Sequence, residues 1–195
     1  MSGSKAKQTG DTPELVRLTV GAEGISHFFP LFQEGVMLDT ETGKSVREFL
    51  CATLGIDEDY VEGRISTIFL DRNPVDDLDT SIVDDGAVLA LSAAMPGLVG
   101  ATMRRGGYYA AMRSAISYRP GEEHSNVRRG RIRLKLFNMI LEEIGPALLR
   151  AGVIVRADSL KDVLAGLVQD GLMSAVPAAE YAGDVRIVVE IPAGS

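Results

Sequence analysis

The residues of this 195-residue chain whose types and spacing could support chemistry are concentrated in a glycine- and arginine-rich run at residues 96–107. The candidate residues of this run are Gly97, Gly100, Arg104, Arg105, Gly106 and Gly107. Backbone amides of a glycine-rich loop can form a concave anion site, and two arginines would add positive charge to it. The glycine spacing fits neither the phosphate-binding loop of nucleotide hydrolases nor the dinucleotide-binding fingerprint. An anion site and a structural turn or hinge therefore both remain open for this run.

The sequence contains no recognisable catalytic pattern. His27 and His124 lie far apart, and neither has a zinc-binding spacing near it. Cys51 is the single cysteine, with no nearby histidine to activate it, so we expect an inert, packed thiol. The aspartates of residues 76–85 lie in turn-like segments and lack the glycine and distal glutamate of a calcium loop. We predict no catalytic residue, no metal site and no cofactor.

Charge is distributed unevenly along the chain, whose net charge is −7. Residues 34–85 contain 14 acidic and four basic residues, a net of −10, whereas residues 104–135 contain nine basic and two acidic residues, a net of +7. We expect the two regions to attract each other within or between chains, which leaves a homo-oligomer open. The alternative is a phosphate- or nucleic-acid-binding surface within 104–135. Its candidate residues are Arg128, Arg129, Arg131 and Arg133.

Composition limits the class of protein. An apolar fraction of 46% is enough to fill the core of one sizeable domain or two small ones. No apolar run is long enough to span a bilayer, and the N-terminal residues lack the hydrophobic segment of a signal peptide. A single cysteine fits a reducing compartment. We therefore expect a cytoplasmic protein that does not contact a membrane.

The elements that must position these residues follow a polar segment at residues 1–13, which we interpret as a flexible tail. Alternating or β-branched stretches predict strands at residues 14–20, 36–39, 64–70 and 87–92, the second returning toward the first. Ser45 and Glu48 have the spacing of a capping box, which predicts a helix start. Residues 24–35 form an apolar loop in this interpretation. Its Phe28, Phe29 and Phe32 either cover the core or form a partner interface.

This order of elements resembles the ubiquitin-like β-grasp superfamily, and within it the sulfur-carrier branch of the molybdopterin-synthase small subunit and the thiazole-synthesis carrier. The residues that carry the resemblance are Ser45–Leu50 at the helix start, Phe69–Val75 at the strand and turn, and Val83–Leu91 at the last strand. The resemblance covers residues 14–107 only. It implies a β-grasp domain at 14–95 and a non-catalytic protein-interaction or carrier module.

The resemblance also implies a mobile tail ending in Gly-Gly, whose terminal carboxylate is adenylated by a partner enzyme. Residues 96–107, ending in Gly106 and Gly107, look like such a tail or else a linker. Because 88 residues follow Gly107, a carrier of this kind would need a processing enzyme to cut after that residue. A protein partner is therefore the main expectation, and nucleic acid is the alternative.

Residues 108–195 lie outside the resemblance. Strict alternation predicts a strand at 131–137, with Arg131, Arg133 and Lys135 on the face opposite its apolar residues. Helices are predicted at 138–150 and 159–168, and a strand at 185–191. Residues 109–118 fit either a strand or a helix, and 119–126 a loop. We therefore predict an α+β protein, in which the β-grasp domain precedes a small α+β domain of about three strands and two helices.

The processed-modifier interpretation makes a prediction about the mass of the native protein. If a protease releases a Gly-Gly carboxylate, mass spectrometry of the protein from its native host should detect a fragment that ends at Gly107. Recovery of only the uncut 195-residue chain under every growth condition would contradict processing.

Overall fold

The structure is a computed structural model and describes residues 12–93, 97–108, 117–118, 126–175 and 180–192. The strands are β1 (Glu14–Thr19), β2 (Val36–Thr42), β3 (Lys44–Ser45), β4 (Thr67–Leu70), β5 (Asn73–Pro74), β6 (Ile82–Val83), β7 (Val88–Ser92), β8 (Arg128–Phe137), β9 (Val153–Arg156) and β10 (Asp184–Glu190). The helices are α1 (Phe29–Glu34), α2 (Val46–Glu48), α3 (Glu58–Gly63), α4 (Gly97–Met103), α5 (Met139–Ala151) and α6 (Ala157–Gln169). A 3₁₀ helix (Ala22–Phe28) precedes α1, and a π-helical turn (Phe49–Thr53) continues α2.

Most of the predicted tail at residues 1–13 lies outside the described residues, which begin at residue 12. The same holds for residues 109–116 and for most of the loop predicted at 119–126. Arg113 and Arg119 of the basic region belong to these stretches.

Eight strands form one mixed sheet in the order β1-β10-β9-β2-β8-β7-β4-β5, and β3 pairs with β6 in a separate two-stranded ribbon. Strand β8 links the two parts of the sheet, because it runs antiparallel to β2 and parallel to β7. The range 14–95 contributes β1, β2, β7, β4 and β5, while β10, β9 and β8 come from the range 108–195. Strands from the two predicted domains are therefore interleaved in one sheet of an α+β fold.

The predicted pairing of the second strand with the first is wrong. Strand β2 pairs with β8 and β9, whereas β1 pairs in parallel with β10 at the edge of the sheet. Alternation of apolar residues fixes which face of a strand is buried, but it does not identify the neighbouring strand. The three strands and two helices of the described residues beyond 108 match the predicted number, yet they extend the same sheet.

One face of the sheet carries the hydrophobic core. Its strands contribute apolar residues at alternate positions, among them Ile68, Leu89 and Leu134, all 0–1% exposed. The buried apolar residues of the described helices belong to the same cluster. Ile154 is fully buried but does not belong to this cluster, which places its side chain on the opposite face of the sheet. Helices α1, α2, α3, α5 and α6 therefore cover one face of the sheet.

The helix that begins after Ser45 has the predicted capping box, in which the Ser45 hydroxyl accepts from the Glu48 amide and the Glu48 carboxylate accepts from the Ser45 amide. The helix continues as a π-helical turn whose Phe49 and Leu50 are fully buried. Burial of these residues fixes the helix on the covered face of the sheet.

The apolar loop predicted at residues 24–35 is instead helical, formed by the 3₁₀ helix and α1. Phe28 and Phe32 are fully buried in the core, and Phe29 is partly buried against it. Phe28 and Phe32 therefore have no surface to offer a partner, and the aromatic interface is wrong for these two residues. Their burial favours the other interpretation of this segment, in which the aromatic side chains form part of the core.

Among the described residues, none of the helices is both long enough and apolar enough to cross a bilayer.

The central position of β8 makes a prediction about stability. Replacing the fully buried Leu134 with alanine should cost about 2–5 kcal/mol of unfolding free energy, since it leaves a cavity in the middle of the core. Leu15→Ala is the matched control at an edge position that is 48% exposed, and it should change stability by less than about 0.5 kcal/mol. Urea denaturation of both variants measures the difference. Equal effects would contradict the placement of β8.

Candidate functional site

The glycine- and arginine-rich run is held against α3. The Arg105 amide donates to the Ser66 carbonyl at 2.8 Å, and its guanidinium donates to the Val61 carbonyl at 3.0 Å. The same guanidinium lies 2.9 Å from the Glu62 carboxylate, and the Arg105 side chain is only 11% exposed. These contacts occupy Arg105 with acceptors from the protein, which favours a fixed turn over an anion site or a mobile tail at this residue.

The other residues of the run continue this turn. Gly97 and Gly100 lie in α4, with Gly100 buried, and Gly106 adopts a positive φ of 62° that favours glycine. The Gly107 amide donates to the Arg104 carbonyl at 3.2 Å. This geometry is typical of a chain leaving a helix through a left-handed residue.

A hollow of about 580 Å³ beside the run is lined by charges that pair with one another. Arg47 contacts Asp79 and Glu62, each at 2.7 Å, and Glu58 at 3.1 Å. Hydrogen bonding to Arg47 lowers the pKa of the Glu62 carboxyl, which also pairs with Arg105. Arg47 therefore ties the acidic helix α3 to the acidic loop at 76–79, and Arg105 ties α3 to the glycine- and arginine-rich run. We assign this cluster a structural role.

The remaining sequence candidates take part in local structure. The Asp77 carboxylate accepts from the Asp79 and Thr80 amides at 2.9 and 3.2 Å, as expected of a turn aspartate, and these bonds lower its pKa. Burial raises the pKa of the Cys51 thiol, which keeps it protonated. His27 lies 3.2 Å from Asp170. Within the described ranges, no group of three or more histidine, cysteine or carboxylate side chains could hold a metal ion.

The face of the sheet opposite the core defines a second candidate surface, which we call the open face. It is formed by the residues that alternate with the core positions on seven strands. These residues are Leu15, Arg17 and Thr19 of β1; Asp184, Arg186, Val188 and Glu190 of β10; Ile154 and Arg156 of β9; Met37, Asp39 and Glu41 of β2; Arg129, Arg131, Arg133, Lys135 and Phe137 of β8; Val88, Ala90 and Ser92 of β7; and Thr67 and Phe69 of β4.

The strand register aligns these residues into rows across the sheet. One row joins Val88, Arg133, Met37, Ile154 and Arg186 on five neighbouring strands. A neighbouring row begins with Phe69, Ala90 and Lys135. Because directly opposed side chains lie about 4.5–5.5 Å apart at Cβ, each row is a continuous stripe of apolar and basic groups.

Ion pairs on the open face bridge strands but do not balance its charge. Asp39 accepts from Arg131 and from Arg186, each at 2.6 Å, and Arg131 lies 3.8 Å from Asp184. The pKa of Arg131 is raised by its hydrogen bond to Asp39. The open-face strand positions hold seven basic and four acidic residues, a net of +3, in a chain whose net charge is −7. The open face is therefore a basic surface on an acidic protein.

The predicted basic residues divide between the two sides of β8. Arg129, Arg131 and Arg133 lie on the open face, while Arg128 occupies the alternate register at the start of the strand. The structure thus brings three of the four predicted arginines to one surface and separates that surface from the Gly106 turn.

Strands β4, β7 and β8 carry a hollow of about 750 Å³ on the open face. The hollow is lined by Phe69, Asp71, Arg72, Val88, Ala90, Arg133, Lys135 and Phe137. Sequence reasoning placed Lys135 beside the arginines but did not select Phe69, Phe137 or Arg72 as site residues. The alternation of β8 could have indicated Phe137, whereas the approach of β4 and of the turn at Arg72 depends on pairing with β7.

Comparison with known proteins adds no relative: no family model, no curated protein and no solved structure matches this chain at a significant level.

The contacts of Arg105 predict how the glycine- and arginine-rich run responds to mutation. Arg105→Ala removes the bonds to Val61 and Glu62, so trypsin should cleave after Arg104 faster than in the wild-type protein, because the segment opens more often. Limited proteolysis with mass analysis measures the rate, and Arg150→Ala on the exposed side of α5 is the control. An unchanged rate in Arg105→Ala would show that these contacts do not hold the run.

Proposed function

We propose that the protein is a non-catalytic interaction module that binds a partner protein through the open face. The observation that carries the proposal is the inversion of charge, a net of +3 on one sheet face of a chain whose total is −7. Basic and apolar side chains share that face, and helices α1, α2, α3, α5 and α6 pack on the other one. A surface of this kind attracts an acidic partner and offers it apolar area to bury.

A β-grasp-like core is part of this proposal. It is supported by the order of elements, in which β2 leads into the capped helix at Ser45, and β4, the short strands β5 and β6, and β7 follow. The helix packs on the covered face of that sheet through Phe49 and Leu50. Strand β8 takes the place beside β7, so residues 128–190 extend the sheet in this proposal.

A carrier or modifier role would require a free carboxylate at Gly107. The contacts of Arg105 with Val61, Glu62 and Ser66 hold the preceding segment in place, and this favours the interaction role over the carrier role. Adenylating or processing enzymes are therefore not the partners that we propose for the open face.

Nucleic-acid or phosphate binding is the second candidate function, and it would draw on the same cations. The pattern of charge favours a protein partner, because Asp39, Glu41 and Asp184 are interleaved with the arginines. A phosphate backbone of uniform negative charge would meet these carboxylates, whereas a protein can place basic groups opposite them.

Site-specific photo-crosslinking in the native host tests the proposal. A benzophenone amino acid replaces Met37 on the open face, or Arg150 on the exposed side of α5 as the matched control. We expect a discrete crosslinked protein from position 37 that is missing from position 150. The crosslink should be lost in Arg133→Glu/Lys135→Glu, because the charge at these two open-face positions is reversed. Identical crosslinks from both positions, or none from position 37, would exclude the open face as the partner site.

A further inference from the structure

We propose that the hollow over β4, β7 and β8 is an anchor site that takes one large apolar side chain from an acidic segment of the partner. The inference rests on the proposed function and names the chemistry of the partner. The site combines an apolar interior with a cationic rim.

The interior of the hollow is apolar. Val88 and Ala90 of β7 form its floor, while Phe69 of β4 and Phe137 of β8 contribute aromatic rings from the strands on either side. All four side chains are partly buried by their neighbours and still border the hollow. At about 750 Å³ the hollow has the size of a small-ligand site, so it can hold an anchor side chain together with flanking backbone. An aromatic or branched aliphatic anchor matches this interior best.

The rim of the hollow carries three cations, Arg72, Arg133 and Lys135, and one carboxylate, Asp71. Within the described part of the chain, no carboxylate lies within ion-pair distance of Arg72, Arg133 or Lys135. Asp71, which also lines the hollow, uses its Oδ1 to accept from the Val88 amide at 2.8 Å. By contrast, Arg131 and Arg186 are both paired with Asp39. Among the described residues, Arg72, Arg133 and Lys135 are therefore the cations without an ion pair that border the hollow, and an incoming acidic group would neutralise them.

Unusual backbone geometry holds the rim in place. Asp71 and Arg72 have φ values of 49° and 72°, which non-glycine residues rarely adopt, and the Asp71 amide donates to the Val88 carbonyl at 2.9 Å. Two successive left-handed residues are typical of a tight hairpin turn that normally prefers asparagine and glycine. This conformation costs about 1–3 kcal/mol for a residue other than glycine, and it places the Arg72 side chain at the edge of the hollow.

Gly35 makes room for the other two rim residues. A Cβ at this position would lie 2.7 Å from Arg133 Cγ and 3.2 Å from Lys135 Cε. Any side chain at residue 35 would displace the stem of Arg133, and its φ of 108° also disfavours other residues. The absence of a side chain at Gly35 therefore lets Arg133 and Lys135 lie close to the sheet beside the hollow.

The surface next to the hollow indicates which residues of the partner's acidic segment would follow the anchor. A second hollow of about 460 Å³ shares Arg133 and adds Met37, Ile154 and Arg156. It also contains Glu34 and Asp184, so charge of both signs follows the cationic rim. A partner segment with an acidic residue next to the anchor, followed by residues of both charges, matches this order of charges. A uniform polyanion does not.

A peptide-display selection tests the inference. Random dodecapeptides are selected on the intact wild-type protein and counter-selected on Arg72→Glu/Arg133→Glu/Lys135→Glu. We expect enrichment of peptides that carry one aromatic or leucine anchor flanked by aspartate or glutamate. The control variant Arg150→Glu/Lys161→Glu reverses exposed charges on the helical side, and it should bind the enriched peptides as the wild type does.

Affinity measurements on an enriched peptide then separate the two parts of the site. Ala90→Trp fills the floor and should weaken binding at least tenfold, and Lys135→Ala should weaken it about threefold to tenfold with a reduced salt dependence. If Ala90→Trp fails to fold, Lys135→Ala still tests the inference, because the Lys135 side chain is only partly buried. No enrichment over the triple variant, or enriched peptides without acidic residues, would overturn the inference.

Single-stranded dT20 serves as the competing probe in the same assay. Tighter binding of dT20 than of the enriched peptides would also overturn the acidic-segment inference, in favour of nucleic acid. If only the anchor chemistry is mistaken, peptide enrichment fails while photo-crosslinking to a protein from position 37 persists. Its loss would remove the proposed function itself.

Discussion

The structure depends on the placement of β8 between β2 and β7. Backbone hydrogen bonds on both edges of β8 join strands from the beginning, middle and end of the chain into one sheet. The alternation of this strand directs Ile132, Leu134 and Leu136 into the core and sends Arg131, Arg133 and Lys135 to the opposite side. A shift of one residue in its register would bury the cations, which makes the register strongly specified.

Separation of charge along the sequence becomes separation of charge between surfaces. The basic residues of β8 lie on the open face, while much of the acidic region lies around α3 and the turns at 76–85. Arg47 links Asp79 to Glu58 and Glu62 within that acidic surface. On the open face, Asp39 bridges Arg131 and Arg186. Exposed ion pairs of this kind contribute little to stability. Arg72, Arg133 and Lys135 lie outside these ion pairs, and in the proposed function they face the acidic partner.

Local elements could be predicted from the sequence, because their signals are local. The capping box at Ser45, the alternation of β8 and the helical periodicity of α5 and α6 all depend on residues within a few positions of each other. Neighbour relations could not be predicted, since β1 pairs with a strand about 170 residues away and apolar alternation does not encode a partner. A structural turn at Gly106 is one of the interpretations of the sequence, but the contacts that hold it could not be predicted, because Val61 and Ser66 are distant in sequence. The resemblance to the β-grasp superfamily predicted a free tail where these long-range contacts hold the chain.

The central claim is that one sheet has one covered and one open face, and the accessibility of introduced cysteines measures this directly. In a Cys51→Ser background, cysteine is introduced at Ala90 or Leu91 on β7 and at Met37 or Leu38 on β2, and the rate of maleimide labelling is measured in the native protein. We expect rapid labelling at positions 90 and 37, and protection at positions 91 and 38 that is lost only on unfolding, because the latter side chains are buried in the core. Protection at positions 90 and 37 equal to that at 91 and 38 would mean that the second face is also covered, and it would contradict the account.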